Sequence, residues 1–167
     1  GAHPRVDLFS FSNVVATQLP HAVGVALADK MRGSDAVTIV FFGDGAASQG
    51  DTHEAMNFAG VRGLPVVFVV NNNQLAISVP RHAQTAAETL PQKAIAAGFA
   101  GVQVDGNDVI AVRDIVEKAL ALARNPDSLC AASYWLYLIE RRRGDDAAAL
   151  AVLERARSFM QASGQSF

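Results

Sequence analysis

The sequence predicts an open α/β fold with a mostly parallel sheet, followed by a C-terminal pair of helices. Three observations carry this. "AVTIVFF" (36–42) and "VVFVV" (66–70) are β-branched and aromatic with no alternation, the pattern of strands buried on both faces of a parallel sheet. A glycine-rich loop and one helix-length segment separate them, which makes a βαβ unit with a right-handed crossover. After Asn125-Pro126-Asp127 the alternation of strand and helix patterns gives way to almost continuous helix formers.

The elements follow in order. Residues 1–12 show no period and read as a loop. Residues 20–32 carry small apolar residues at helical spacing, with Lys30 and Arg32 suited to a last helical turn. Gly33-Ser34-Asp35 is a turn before the first strand. A helix over 51–61 follows the loop "GDGAASQG" and is stopped by Gly63-Leu64-Pro65. "VVFVV" runs directly into "NNNQ". A third short strand and a turn lie in "GVQVDGND" (101–108), and Asp108 is placed to cap a helix over 109–124. The order of strands and helices is that of an open α/β sheet. In the tail, helices are expected over Leu129–Arg142 and Asp146–Met160, with Gly144-Asp145 as the break. The expected division is residues 1–125 as the α/β domain and 126–167 as an α-helical tail.

The chain has 167 residues, 50% of them hydrophobic and 18% charged, enough for one globular core. A formal net charge of −2 gives no footprint for nucleic acid. The basic run Arg141-Arg142-Arg143 reads as a solvated helix end. The single cysteine, Cys130, reads as a core residue, excludes an internal disulfide and suits a reducing compartment. No stretch of about 18 apolar residues predicts a membrane span, and no basic-plus-apolar leader is seen. The opening at Gly1 suggests an excised piece. A location in the cytoplasm of a bacterium, or in the mitochondrial matrix of a eukaryote, is an expectation implied by the family resemblance given below.

In an open α/β sheet, ligands bind beyond the carboxyl ends of the strands. Gly43-Asp44-Gly45 ends the first strand and Asn72-Asn73 ends the second. Together they offer a carboxylate, amides and backbone N–H groups. A carboxylate alone repels a diphosphate; with amide and carbonyl oxygens it suits Mg²⁺, a hard cation that bridges to phosphate oxygens. The loop is not a G-x-x-x-x-G-K-[ST] phosphate loop, and Ser48 breaks G-x-G-x-x-G.

The stretch "GDGAASQGDTHEAMNFAGVRGLPVVFVVNNNQLAISVP" closely resembles the thiamine-diphosphate signature, GDG followed just under thirty residues later by NN. The nearest resemblance is to the alpha subunit of the 2-oxo acid dehydrogenase decarboxylase component. "VVATQLPHAVGVALADK" (14–30) is more similar to the branched-chain type than to the pyruvate type, and "PQKAIAAGFAGVQVDGNDVIAV" (91–112) matches the family as well. The resemblance covers residues 7–125. It implies a thiamine-diphosphate-binding fold, here incomplete, with thiamine diphosphate and Mg²⁺ as cofactors. It implies Asp44, Asn73 and the Leu75 carbonyl as metal ligands, with Gly43 in the same loop. Gly45 and Ala46 would donate backbone N–H groups to the diphosphate. Asn13 and Val15 would contact the aminopyrimidine, with Gln18 beside that pocket. Its partners would be a beta subunit, which supplies the glutamate that activates the cofactor in a heterotetramer, and the lipoyl domain of an acyltransferase component.

The sequence departs from that family in three places. Set against the family, counterparts of the N-terminal diphosphate-binding segment, of the strand and histidine segment after the 109–124 helix, and of the long helical C-terminus are expected to be missing. Alone, the chain is expected to be inactive. The tail resembles a degenerate tetratricopeptide unit, which leaves two readings: a helix pair packed on the α/β body, or a partner-binding repeat. A fusion, a frameshift and an assembled fragment all remain open at Asn125-Pro126.

His21 and His82 are the candidate catalytic histidines: His21 starts a helix near the cofactor face, and His82 follows "ISVP". His53 sits in a first helical turn, where protonation is disfavoured. His3 reads as a bystander and Glu54 as helix-dipole support. Ala55, Ala59 and Gly60 suggest close packing of their helix on another subunit. Two other functions stay open: a non-catalytic interaction module, and a subunit of another thiamine enzyme, such as pyruvate or acetoin dehydrogenase or a transketolase-like half.

Overall fold

The computed structural model describes residues 9, 12–124 and 135–139. Helix α1 (Gln18–Met31) precedes strand β1 (Thr38–Gly43). A 3-10 turn (Ala46–Ser48) leads into α2 (Gly50–Arg62) and then β2 (Val66–Asn72). A small hairpin of β3 (Leu75–Ala76) and β4 (Val79–Pro80) is followed by the short helices α3 (Arg81–Gln84) and α4 (Pro91–Ala96). Strand β5 (Gly101–Val104), helix α5 (Val109–Ala123) and strand β6 (Trp135–Ile139) complete the described elements. The main sheet has the order β1-β2-β6-β5, and every pairing in it is parallel.

The expected βαβ unit is present. Thr38 pairs with Val66 and Gly43 with Asn71, so the two strands end side by side. On one face, Val40 and Phe42 join Phe68, Val70, Leu19, Met56 and Phe99 beneath α1, α2 and α4. Phe68 meets Phe42 edge-on at 6.4 Å and stacks on Phe99 at 5.9 Å, geometries that favour aromatic pairs. On the other face, Val67, Val69 and Val104 pack against Ala119 and Ala123 of α5.

Local chemistry sets the helix ends. Gly63 adopts φ 56°, and the Leu64 N–H returns to the Ala59 carbonyl at 3.0 Å, a left-handed cap that glycine reaches without strain. Lys30 Nζ donates to the Arg62 and Gly63 carbonyls at 2.8 and 2.9 Å. Asp108 caps α5 as the sequence predicts, accepting from Ile110 N and Ala111 N at 3.0 Å each.

Three expectations are corrected. First, β1 is buried on one face only: Val40 and Phe42 are 5% exposed but Phe41 is 65% exposed. It lies at one end of the described sheet, and α5 packs on β2 and β5 instead. An unbroken apolar run does not distinguish these two situations.

Second, the helix expected over Leu129–Arg142 is a strand at Trp135–Ile139. It pairs with β2 on one side and β5 on the other, Phe68 with Trp135 and Val104 with Leu138. These five residues belong to the sheet and not to an all-helical tail. A five-residue apolar run carries no decisive period, and inserting it satisfies backbone groups that β2 and β5 would otherwise leave unpaired. The helix expected over Asp146–Met160, Arg141–Arg143 and Cys130 lie outside the described residues.

Third, the small residues of α2 pack within this chain. Ala55 and Ala59 are core residues, and Gly60 lies against the Ala97 carbonyl at the end of α4.

Candidate functional site

A cavity of about 660 Å³ opens at the carboxyl ends of β1 and β2, where open α/β sheets hold ligands. All nine residues expected to touch the cofactor line it. Asn13, Val15 and Gln18 come from the entry to α1. Gly43, Asp44, Gly45 and Ala46 come from the loop after β1. Asn73 and Leu75 come from the loop after β2. His21 and His82 do not line it; both are exposed, on α1 and α3 respectively. The cavity also takes in Phe41, Gln49, Asn71 and Ile77, which the motif did not mark.

The loops are held from several sides. Gln18 Nε2 donates to the Phe41 carbonyl at 3.2 Å, tying α1 to β1. The buried Thr52 hydroxyl donates to the Ala46 carbonyl at 2.6 Å. Lys93 Nζ donates to the Ala47 carbonyl at 3.0 Å and lies 3.5 Å from His53 Nε2. Burial lowers the pKa of Lys93, and burial together with the Lys93 charge lowers that of His53. Gly45 leaves no room for a side chain, because a Cβ there would sit 2.8 Å from the Ala76 Cβ. The segments after β1 and β2 thus touch through two small residues, Gly45 and Ala76.

Backbone strain gathers at this site. The described non-glycine residues with positive φ are Ala16 (73°), Gln74 (62°) and Ile77 (57°). Ala16 and Ile77 line the cavity, and Gln74 lies between Asn73 and Leu75. Each such residue costs about 1–3 kcal/mol, and residues of this kind cluster at ligand sites. Gln74 is held by its N–H bond to Asn72 Oδ1 at 3.0 Å and by Arg81 N donating to its carbonyl at 2.8 Å.

The donor set fits a hard cation. Asp44 is only 2% exposed. Its Oδ2 accepts from Gln84 Nε2 at 3.4 Å, and among the described residues no basic side chain forms an ion pair with it. A carboxylate on a cavity wall with no cationic side chain beside it can take a bound cation as its counter-charge. Asn73 Oδ1 accepts from Leu75 N at 2.9 Å, which orients the amide and leaves a lone pair free. No cluster of three or more His, Cys, Asp or Glu that could hold a metal occurs among the described residues. One carboxylate, one amide oxygen and one backbone carbonyl suit Mg²⁺, which completes its octahedron with water and phosphate oxygens.

Sequence reasoning missed Gln84, Lys93 and Thr52. Each acts on the loop from a different element, and no local pattern marks such contacts.

The chain is similar to several known proteins. The alpha subunit of 3-methyl-2-oxobutanoate dehydrogenase from Mycobacterium tuberculosis is 51% identical over 113 residues, covering 68% of this chain and 31% of that protein. The pyruvate dehydrogenase E1 component alpha subunit of Staphylococcus aureus is 45% identical over 143 residues, covering 84% of this chain and 39% of that protein. Coverage of 84% necessarily extends past residue 125, in keeping with β6 in the sheet. The chain thus spans about a third of the length of these relatives. An X-ray structure of a proposed thiamin diphosphate-dependent enzyme from Mycobacterium smegmatis shares the fold, with a TM-score of 0.59 and 23% identity over 77% of this chain and 22% of that one. Among the described residues no helix is long and apolar enough to cross a membrane. The dehydrogenase E1 component family matches residues 2–129, and the chain belongs to that family.

Proposed function

We propose that this chain forms the thiamine-diphosphate- and Mg²⁺-binding part of a 2-oxo acid dehydrogenase alpha subunit, acting on a branched-chain 2-oxo acid. The observation that carries the reading is the buried carboxylate of Asp44, with no basic side chain among the described residues paired to it, in a cavity that also takes in Asn73 and Leu75. In this reading Asp44, Asn73 and the Leu75 carbonyl hold the cation, and the Gly45 and Ala46 N–H groups face the diphosphate. Asn13, Val15 and Gln18 position the pyrimidine end. Thiamine diphosphate, when bound, supplies the electron sink for decarboxylation. The chain's own work is to fix the cation, orient the cofactor and exclude water. A beta subunit supplies the activating glutamate in a heterotetramer, and the acyl group passes to the lipoyl domain of an acyltransferase component. The chain alone is inactive in this scheme.

The branched-chain assignment draws on the 51% identity to the 3-methyl-2-oxobutanoate enzyme. A pyruvate-type reading draws on the longer match at 45% identity. Decarboxylation assays of the subunit assembled with its beta partner separate them. A preference for 3-methyl-2-oxobutanoate over pyruvate of about tenfold or more is expected, since each methylene in an apolar pocket contributes roughly 10–200-fold. The reverse preference would replace the branched-chain reading, and turnover of neither acid by cofactor-loaded protein would refute both.

A further inference from the structure

Asp44 lies on the loop after β1, whereas Asn73 and Leu75 lie on the segment that opens the β3–β4 hairpin. A cation between them needs the two segments held at a fixed separation. Gln84 bridges them. It belongs to α3, directly after the hairpin, and its Nε2 donates to the Val79 carbonyl at 2.8 Å and to Asp44 Oδ2 at 3.4 Å. Its own backbone carbonyl accepts from Ser48 Oγ at 3.4 Å, a second link to the same loop. Among the described residues, Gln84 is the side chain that bonds to the Asp44 carboxylate.

The amide orientation follows from its surroundings. Reversing it would set an oxygen against both a carbonyl and a carboxylate, so Nε2 must face them. The consequence is visible on the other atom: Oε1 is buried with no hydrogen-bond partner. A buried acceptor without a donor is unfavourable, and such exceptions are concentrated where a group has a task or where an ion or water completes the site. Gln84 as a whole is half-buried and belongs to neither apolar cluster.

We infer that Gln84 is a positioning residue for the cation site: it fixes the Asp44 carboxylate relative to the hairpin that carries Asn73 and Leu75. The inference rests on the cofactor reading above. Losing a group that orients a metal ligand lowers metal affinity by about 10–100-fold. The contact should therefore set the Mg²⁺ requirement and leave the fold intact.

The test is a Mg²⁺ titration of the full chain with its beta partner, at saturating thiamine diphosphate, following the cofactor by circular dichroism. Two variants are compared with wild type, with thermal unfolding recorded without metal or cofactor. Gln84→Met keeps the volume and removes the donors. Gln84→Asn keeps the amide but is too short to span Asp44 and Val79. The expected result is a 10- to 100-fold rise in the Mg²⁺ midpoint for both, with the metal-free unfolding temperature within about two degrees of wild type. A wild-type midpoint in either folded variant would overturn the inference. So would loss of folding in both, which would make Gln84 a structural residue. If wild type itself shows no Mg²⁺-dependent binding, the cofactor reading fails and the role of Gln84 with it. If wild type binds and the variants match it, only the role of Gln84 falls.

Discussion

Asp44→Ala is expected to remove Mg²⁺-dependent binding of thiamine diphosphate, with affinity falling by more than about 100-fold, while the unliganded protein stays as stable as wild type or gains stability. The two effects share one cause. In the unliganded fold the carboxylate is 2% exposed on the cavity wall, has one long hydrogen bond, and is paired with no basic side chain among the described residues. Replacing such a group with an apolar one is neutral or favourable for folding. In the proposed site the same carboxylate is the anionic ligand of the cation, and the amide and carbonyl oxygens cannot replace that charge. Calorimetric titration and thermal unfolding of one preparation check both halves. Arg113→Ala is the control, since that side chain is exposed on α5 and pairs with Glu117 at 2.8 Å. Equal loss of binding in both variants would mean general misfolding, and lowered stability in Asp44→Ala alone would mean that the carboxylate serves the fold.

Gly60→Ala is the change with the largest expected effect on stability. Helix propensity alone argues the opposite sign, since alanine is favoured over glycine inside a helix by about 1 kcal/mol. Packing overrides it. A Cβ at position 60 would lie 2.0 Å from the Ala97 carbonyl oxygen and 3.3 Å from its carbon. That oxygen is backbone and cannot rotate aside, so α2 and α4 must separate. The Phe99 ring, 3.6 Å away and stacked on Phe68, would move with them. Overpacking of this kind costs about 1–3 kcal/mol, occasionally more, which outweighs the propensity gain. Urea unfolding should show a lower midpoint with an unchanged slope. A raised midpoint would contradict this account of how α4 sits on α2.

Much of this was legible in the sequence because it is local. β-Branched runs gave β1, β2 and the βαβ unit, Gly63-Leu64-Pro65 gave the end of α2, and Asp108 gave the cap of α5. Six of the nine expected residues converge on one cavity because the two motifs end adjacent parallel strands, and Asn13, Val15 and Gln18 join them from the entry to α1. What was not legible depends on tertiary partners. Trp135–Ile139 is a strand because β2 and β5 flank it; the same five residues read alone are equally compatible with a helix. The open face of β1 and the packing of Gly60 on Ala97 likewise depend on which element lies opposite. Gln84 stands forty residues from Asp44 in sequence, and nothing near either residue announces the contact.

The central claim is that the Asp44, Asn73 and Leu75 segments form a cation-dependent diphosphate site. Its most direct test is calorimetric titration of thiamine diphosphate into the chain assembled with its beta partner, with Mg²⁺ and again with the metal chelated. Saturable binding with Mg²⁺, lost on chelation, is the expected result. Binding of equal strength without the metal, or none by a folded complex with it, would contradict the account.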